Sequence, residues 1–214
     1  MLKEFLEIYL KKEINDEPRN YIGASSIGKP CLRQIWYEYN GIKKNKLEPT
    51  KQITFQIGKE LEKMILDYLK KSGIIIVCQG KFYSDATVLS LQGHVDGIII
   101  LNNEEKAILE IKTAKESSFN RFVKHGLKEW SEQYYCQLQT YMGMSKINRG
   151  VLLAINKNSS EIHEEWIDFD PEIYEKIKLK ALKISNSAEP LEKLCTNGSY
   201  YICKMCEFRE ICHV

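Results

Sequence analysis

No stretch of the 214-residue chain approaches the roughly 20 consecutive apolar residues that cross a bilayer, so no membrane helix is expected. The opening MLKEFLEIYLKKEI sets acidic residues inside its apolar pattern and has no signal-peptide cleavage pattern. It reads as an amphipathic helix, and the expectation is a cytoplasmic protein. Charge of one sign is also lacking. Thirty-one Lys and Arg against 29 Asp and Glu leave a net charge of +2, which does not by itself announce a polyanionic partner. The local basic clusters, Lys43, Lys44 and Lys46 and then Lys70 and Lys71, read as solvated faces. No internal repeat or long low-complexity segment occurs, and 43% hydrophobic with 28% charged residues describes an ordinary globular domain.

Cysteine is not scarce, but its distribution is uneven. Cys31, Cys78 and Cys136 are scattered, whereas Cys195, Cys203, Cys206 and Cys212 crowd the last twenty residues. An odd total of seven without a secretion signal speaks against a disulfide framework and for metal binding at the crowded end. Cys78 and Cys136 fall in or beside expected regular elements and read as buried free thiols.

The pattern of apolar residues predicts helices over 2–14, 31–39 and 55–71, the last with Ile57, Leu61, Met64, Ile65 and Tyr68 on one stripe. The period then changes. Strands are expected at 74–77, 87–91, 95–101 and 107–113, as a meander that closes in a hairpin around Asn102-Asn103. A helix over 130–144, strands at 150–156 and 162–169, and a helix from Pro171 to Ile184 complete the chain. This order predicts an α/β or α+β domain with a central mixed sheet flanked by helices. One domain over 1–214 is expected, with an N-terminal helical region (1–50), a core (51–187) and a Cys-rich tail (188–214).

Asp96 lies at the start of one hairpin arm, and Glu110, Ile111 and Lys112 lie on the other. Alternation along a strand puts Glu110 and Lys112 on one face, with Ile111 turned away. The two carboxylates flank the turn at similar distances, so closing the hairpin brings them together. Hard divalent ions take one or two carboxylates together with water and phosphate oxygen. A lysine beside them orients water and offsets charge in phosphodiester hydrolysis. Alone, Glu-x-Lys on a strand is more often a solvated pair; its company raises its weight.

Asp-x(13)-Glu-x-Lys resembles the signature of the PD-(D/E)xK nucleases, without the proline before Asp96. Gly58 to Glu62 resembles the Gly-x-x-x-(His/Glu) element of the RecB-like branch, and Gln137 to Tyr141 its Gln-x-x-x-Tyr element. The resemblance implies a restriction-endonuclease-like core in which Glu62, Asp96, Glu110 and the Ile111 carbonyl hold Mg²⁺ or Mn²⁺. Lys112 would then act on water, and Gln137 and Tyr141, on one helical face, would hold the DNA backbone. Gly93-His94 also fits the family. His94 is read two ways, as a contact to metal or scissile phosphate, or as a residue that packs against and orients Asp96.

Cys203-x2-Cys206-x5-Cys212 needs a fourth ligand, and spacing alone leaves Cys195 and Cys31 both open. The chain resembles the four-cysteine RecB-like exonucleases, among them the CRISPR-associated adaptation nucleases and the AddB nuclease domain; standalone phage-type relatives also suit its size. That resemblance implies a [4Fe–4S] cluster on Cys31, Cys203, Cys206 and Cys212, whereas the thiolates alone suit zinc equally. Either centre would tie the N-terminal helical region to the tail. The functional expectation is a metal-dependent deoxyribonuclease trimming single-stranded DNA or DNA ends, with a helicase, recombinase or CRISPR-adaptation protein as partner. Two other readings stand beside it: a catalytically silent DNA-docking subunit, and a small zinc-ribbon regulator.

Overall fold

AILEI and VLLAI are aliphatic at both parities, which a strand requires when helices cover both its faces. Both segments become central strands. The computed structural model describes residues 1–12, 19–43, 49–78, 80–84, 90–101, 104–196 and 198–213. The first part holds α1 (Leu2–Lys12), β1 (Ile22–Gly23), α2 (Ala24–Ile27), α3 (Leu32–Tyr39) and α4 (Pro49–Lys71). The strands β2 (Ile75–Cys78), β3 (Lys81–Tyr83), β4 (Leu91–His94), β5 (Gly97–Ile100) and β6 (Lys106–Ala114) follow. Next come α5 (Glu116–Trp130), α6 (Glu132–Ser145), β7 (Arg149–Asn156), β8 (Ile162–Asp168) and α7 (Pro171–Ser185), then the short α8 (Tyr201–Lys204) and α9 (Arg209–Cys212). No helix among the described residues is long and apolar enough to cross a membrane.

The main sheet runs β2-β5-β6-β7-β8 and is mixed, because β6 and β7 are parallel while the other neighbours are antiparallel. Its faces separate by parity. Ala107, Leu109 and Ile111 of β6 join Val151, Leu153 and Ile155 of β7 beneath Ile65 and Leu66 of α4. Ile108, Ala114, Leu152 and Ala154 point the other way, against Phe119, Phe122, Leu127 and Trp130 of α5 and Leu138 and Met142 of α6. A third apolar cluster ties Ile35, Trp36 and Tyr37 of α3 to Ile177, Ala181 and Ile184 of α7 and to Phe208 in the tail.

The expected class holds, with two corrections. The middle strands do not form one meander: β2 pairs directly with β5, while β3 and β4 leave to form a separate three-stranded sheet with β1. Most of the strand expected at 87–91 lies outside the described residues, as do 13–14 and the Asn102-Asn103 turn. The chain between β6 and α6, which carried no expected element, is helical. That helix is broken at Gly126, whose φ of +77° favours glycine, and Glu165 of β8 accepts the Leu127 N–H at 2.7 Å across the break. A carboxylate delivered from a distant strand leaves no mark on the local pattern.

Helix α6 approaches α7 closely at Gly143, where an added Cβ would lie 2.6 Å from three atoms of the Tyr174 ring. Gly143→Ala is therefore expected to destabilise the fold by about 1–3 kcal/mol through overpacking. In thermal unfolding that corresponds to a Tm lower by roughly 3–10 °C. An unchanged Tm would mean that α7 moves aside freely.

Candidate nuclease site

The ladder between β5 and β6 stops at the pair Gly97–Leu109, so β6 runs on from Glu110 without a partner on that side. Asp96 sits at this fork. Its Oδ2 accepts the backbone N–H of Ile111 at 2.7 Å, satisfying a donor that the diverging strand leaves open. The hairpin places Asp96 beside Glu110, as the symmetry about the turn suggests. Lys112 follows on the same face and is ion-paired with Glu110 Oε1.

Glu110 is buried, with 1% of its surface exposed. Its Oε1 also receives the Gln137 side-chain amide at 2.8 Å, while its Oε2 is buried and has no partner among the described residues. Desolvation raises its pKa most, with the Asp96 and Glu62 charges adding and Lys112 opposing, and the carboxyl is pushed up to about 8. Burial works against the Lys112 ammonium as well, but the adjoining Glu110 and Asp96 carboxylates outweigh it and hold its pKa above the ordinary lysine value. Desolvation also raises Asp96 and Glu62, and the Asp96 charge raises Glu62 further. Three carboxyls, each costly to ionise in place, around a bare buried oxygen suit a hard dication.

Glu62 reaches this group from α4 across an open cleft of about 810 Å³, which Ile111, Lys112 and Thr113 line from the strand side. Gly58 lies one turn before Glu62 and keeps the wall low: a Cβ there would meet only the Thr113 hydroxyl, at 3.8 Å. His94 ends β4 with its side chain exposed, and its backbone meets the Tyr141 hydroxyl. Gln137 and Tyr141, expected as DNA contacts, lie beneath the carboxylates. They are 4% and 2% exposed and joined at 3.1 Å, with Gln137 bonded to Glu110, so this pair braces the carboxylate from behind instead of facing the cleft.

Several cleft residues escaped sequence reasoning. Arg19, Lys59 and Lys157 bring positive charge to the walls, and Phe55, 55% exposed, stands at the cleft. Lys59 lay next to a motif glycine and was visible; Arg19 and Lys157 had no local signal. Tyr134 also lines the cleft, and its ring lies 5.1 Å from the Lys112 ammonium. The ring is held edge-on by Trp130 at 5.2 Å, and Ser131 accepts the Tyr134 N–H at 3.3 Å as cap of α6. A cation–π contact of about 0.5–2 kcal/mol on the lysine predicts that Tyr134→Leu lowers cleavage kcat some 3- to 30-fold. Tyr134→Phe should stay near wild type. A loss in the Phe variant equal to that in Leu would point to the hydroxyl instead.

The cysteines divide. Cys31 caps α3 and, with Cys203, Cys206 and Cys212, lines one small pocket between α3 and the tail. Cys195 meets Cys203 and His213 beside it. Cys136 is half-buried against the third apolar cluster, and the Cys78 side chain lies outside the described residues.

Solved structures share this fold. SSO0001 superposes with a TM-score of 0.62 at 21% identity, covering 99% of this chain and 96% of that one. The alkaline exonuclease LHK-Exo from Laribacter hongkongensis gives 0.59 at 14%, covering 85% and 90%. A phage-related exonuclease from Haemophilus somnus 129PT gives 0.51 at 17%, covering 72% and 77%. At these identities the likeness speaks for the fold. No curated protein sequence gives a significant match. The model of the YqaJ-like viral recombinase domain matches residues 18–148, a span that takes in Glu62, Asp96, Glu110, Lys112, Gln137 and Tyr141. With well over half of its length inside that match, the chain belongs to the YqaJ-like viral recombinase family, within the PD-(D/E)xK exonuclease superfamily.

Proposed function

We propose that the protein is a Mg²⁺- or Mn²⁺-dependent DNA exonuclease acting on DNA ends or single strands. The observation that carries this reading is the buried Glu110 carboxylate, one oxygen bare, beside Asp96 and behind Glu62 and the charged Lys112, which line an open cleft. Glu62, Asp96, Glu110 and the Ile111 carbonyl are the metal ligands. Bound there, the dication supplies Lewis acidity at the phosphate and acidifies a water. Lys112 orients that water and offsets charge as the phosphorane forms. Gln137, with Tyr141 behind it, fixes the Glu110 rotamer. Arg19, Lys59 and Lys157 take the phosphates of the strand, and Phe55 offers a face for a base. An exonuclease of this fold, LHK-Exo, has been crystallised with dAMP, a nucleotide of the size exonucleolytic cleavage releases.

The whole chain works as one unit in this reading. Cys31, Cys203, Cys206 and Cys212 hold a [4Fe–4S] cluster, which fastens α3 to the tail. Their shared pocket supports the assignment. A viral recombinase family favours phage or mobile-element recombination over CRISPR adaptation as the setting.

The test is digestion of end-labelled single- and double-stranded DNA by anaerobically purified protein with Mg²⁺, Mn²⁺ or EDTA. Metal-dependent shortening from one end supports the proposal; no cleavage by the folded, metal-loaded chain overturns it. A pH signature follows from Glu110. Its carboxyl carries a proton below about 8, and a metal must displace that proton. Mn²⁺ affinity is thus expected to weaken by up to about tenfold per pH unit below that value and to level off above it. Calorimetric titration of the DNA-free protein at several pH values measures this. A flat affinity from pH 6 to 8 would show that Lys112 already keeps Glu110 ionised.

A further inference from the structure

Six soft donors meet where the tail packs on α3: Cys31, Cys195, Cys203, Cys206, Cys212 and His213. The four-thiolate centre proposed above leaves two of them, Cys195 and His213, without a task. These two lie against Cys203. The ligand atoms of Cys195, Cys203 and His213 are all within 4.8 Å of one another, the one His/Cys/Asp/Glu group so close among the described residues. Cys195 Sγ stands 3.9 Å from His213 Nε2. Tetrahedral zinc, with bonds near 2.3 Å to sulfur and 2.0–2.1 Å to nitrogen, sets such a pair about 3.6 Å apart. A cubane several atoms across spaces its thiolates more widely. The spacing of Cys195 and His213 is thus that of two ligands on a single ion.

Two further observations point the same way. Gly198 passes over the imidazole at φ +66°, and a Cβ there would come within 3.1 Å of the ring, so the glycine lets the backbone lie close against His213. The structure brings the Cys195 and Cys203 sulfurs into bonding contact, yet their Cα atoms are 7.2 Å apart, beyond the separation of about 4.4–6.8 Å that disulfides adopt. Two thiolates that share an ion tolerate the wider span.

We propose that Cys195, Cys203 and His213 form a mononuclear Zn²⁺ site, with water in the fourth position. Thiolate with imidazole is a donor set that selects zinc. Because Cys203 belongs to both sets, zinc on the trio and a cluster on the quartet exclude each other. The exclusion rests on the cluster reading above; the zinc trio stands without it.

The full-length chain, stripped of metal and kept anaerobic, is titrated with Zn²⁺ against a chromophoric chelator. One tight site is expected. Cys195→Ser and His213→Ala should each weaken it 100-fold or more while leaving iron loading intact. Cys206→Ser should keep the zinc and lose the iron, and Cys203→Ser should lose both. Wild-type protein loaded with Co²⁺ gives a readout that needs no variant: a tetrahedral visible spectrum with the charge-transfer intensity of two thiolates. Three- or four-thiolate intensity overturns the proposal. So does zinc binding indifferent to Cys195 and His213, or a Cys195–Cys203 disulfide in the peptide map of the alkylated protein. Should the chain take up no iron at all, the cluster reading fails while the trio still binds its zinc.

Discussion

Glu110→Gln and Lys112→Ala each reduce metal-dependent digestion of end-labelled DNA by about 10³-fold or more, with the chain still folded. The size follows from what each group does. Removing one preorganised electrostatic partner from a water-excluded site costs roughly 10²–10³ in rate. In the proposed mechanism Glu110 would also anchor the metal, so its loss would remove Lewis acidity along with charge. Glu110→Gln keeps the side-chain volume and an oxygen to accept the Gln137 amide, now at 2.8 Å from Glu110 Oε1. The buried Lys112 ammonium, however, loses its carboxylate partner, so thermal stability should fall while the chain stays folded. Lys112→Ala acts differently. It leaves Glu110 without its cation, and the carboxyl takes up a proton, which weakens the metal as well as the chemistry. The two variants are therefore separable: excess Mn²⁺ restores part of the Lys112→Ala activity and none of the Glu110→Gln activity. Cleavage by both at the wild-type rate would place the chemistry elsewhere. DNA binding without cleavage in the wild type would favour the docking reading.

The legibility of this site in the sequence was uneven, for physical reasons. Asp96, Glu110 and Lys112 were accessible because strand alternation and a symmetric hairpin are local rules, and the fork at Gly97–Leu109 obeys them. The helical spacing of Gln137 and Tyr141 was legible, but their burial was not. A one-dimensional pattern gives the period of a helix and not which neighbour covers it; here the covering neighbour is Glu110 itself. Tyr134, three residues before Gln137, was hidden for the same reason. Arg19 and Lys157 reach the cleft from opposite parts of the chain, a convergence that only the fold creates. The separate β1-β4-β3 sheet was missed because short strands at its edge carry no periodicity long enough to read. His213 stayed unseen among the tail cysteines, since its approach to Cys195 exists only in the fold.

Cys31→Ser is expected to have the largest effect on stability. The proposed metal centre shares the closing of the loop between α3 and the tail with the apolar cluster around Phe208. Arg33 donates to the Leu191 carbonyl across 158 residues, Trp36 Nε1 reaches the Ser187 carbonyl at 2.8 Å, and the Tyr37 and Phe208 rings pack at 5.3 Å. Each such hydrogen bond contributes about 1 kcal/mol net and burial of the Phe208 ring about 1.5–3 kcal/mol, so these contacts hold the α3–tail face by only several kcal/mol. Metal on thiolates, by contrast, contributes on the order of 10 kcal/mol of folding free energy in small zinc domains. Even a third of that, in a chain of this size, corresponds to a Tm fall of roughly 7–13 °C. The anaerobically purified Cys31→Ser chain should be colourless, melt at least that much lower, and lose protection from proteolysis first in the tail. Cys136→Ser is the control: a half-buried thiol on α6, with no part in the centre, should keep both colour and melting point. A Cys31→Ser protein that keeps its chromophore, while Cys195→Ser loses it, would move the fourth cluster ligand to Cys195 and leave α3 held to the tail by packing alone.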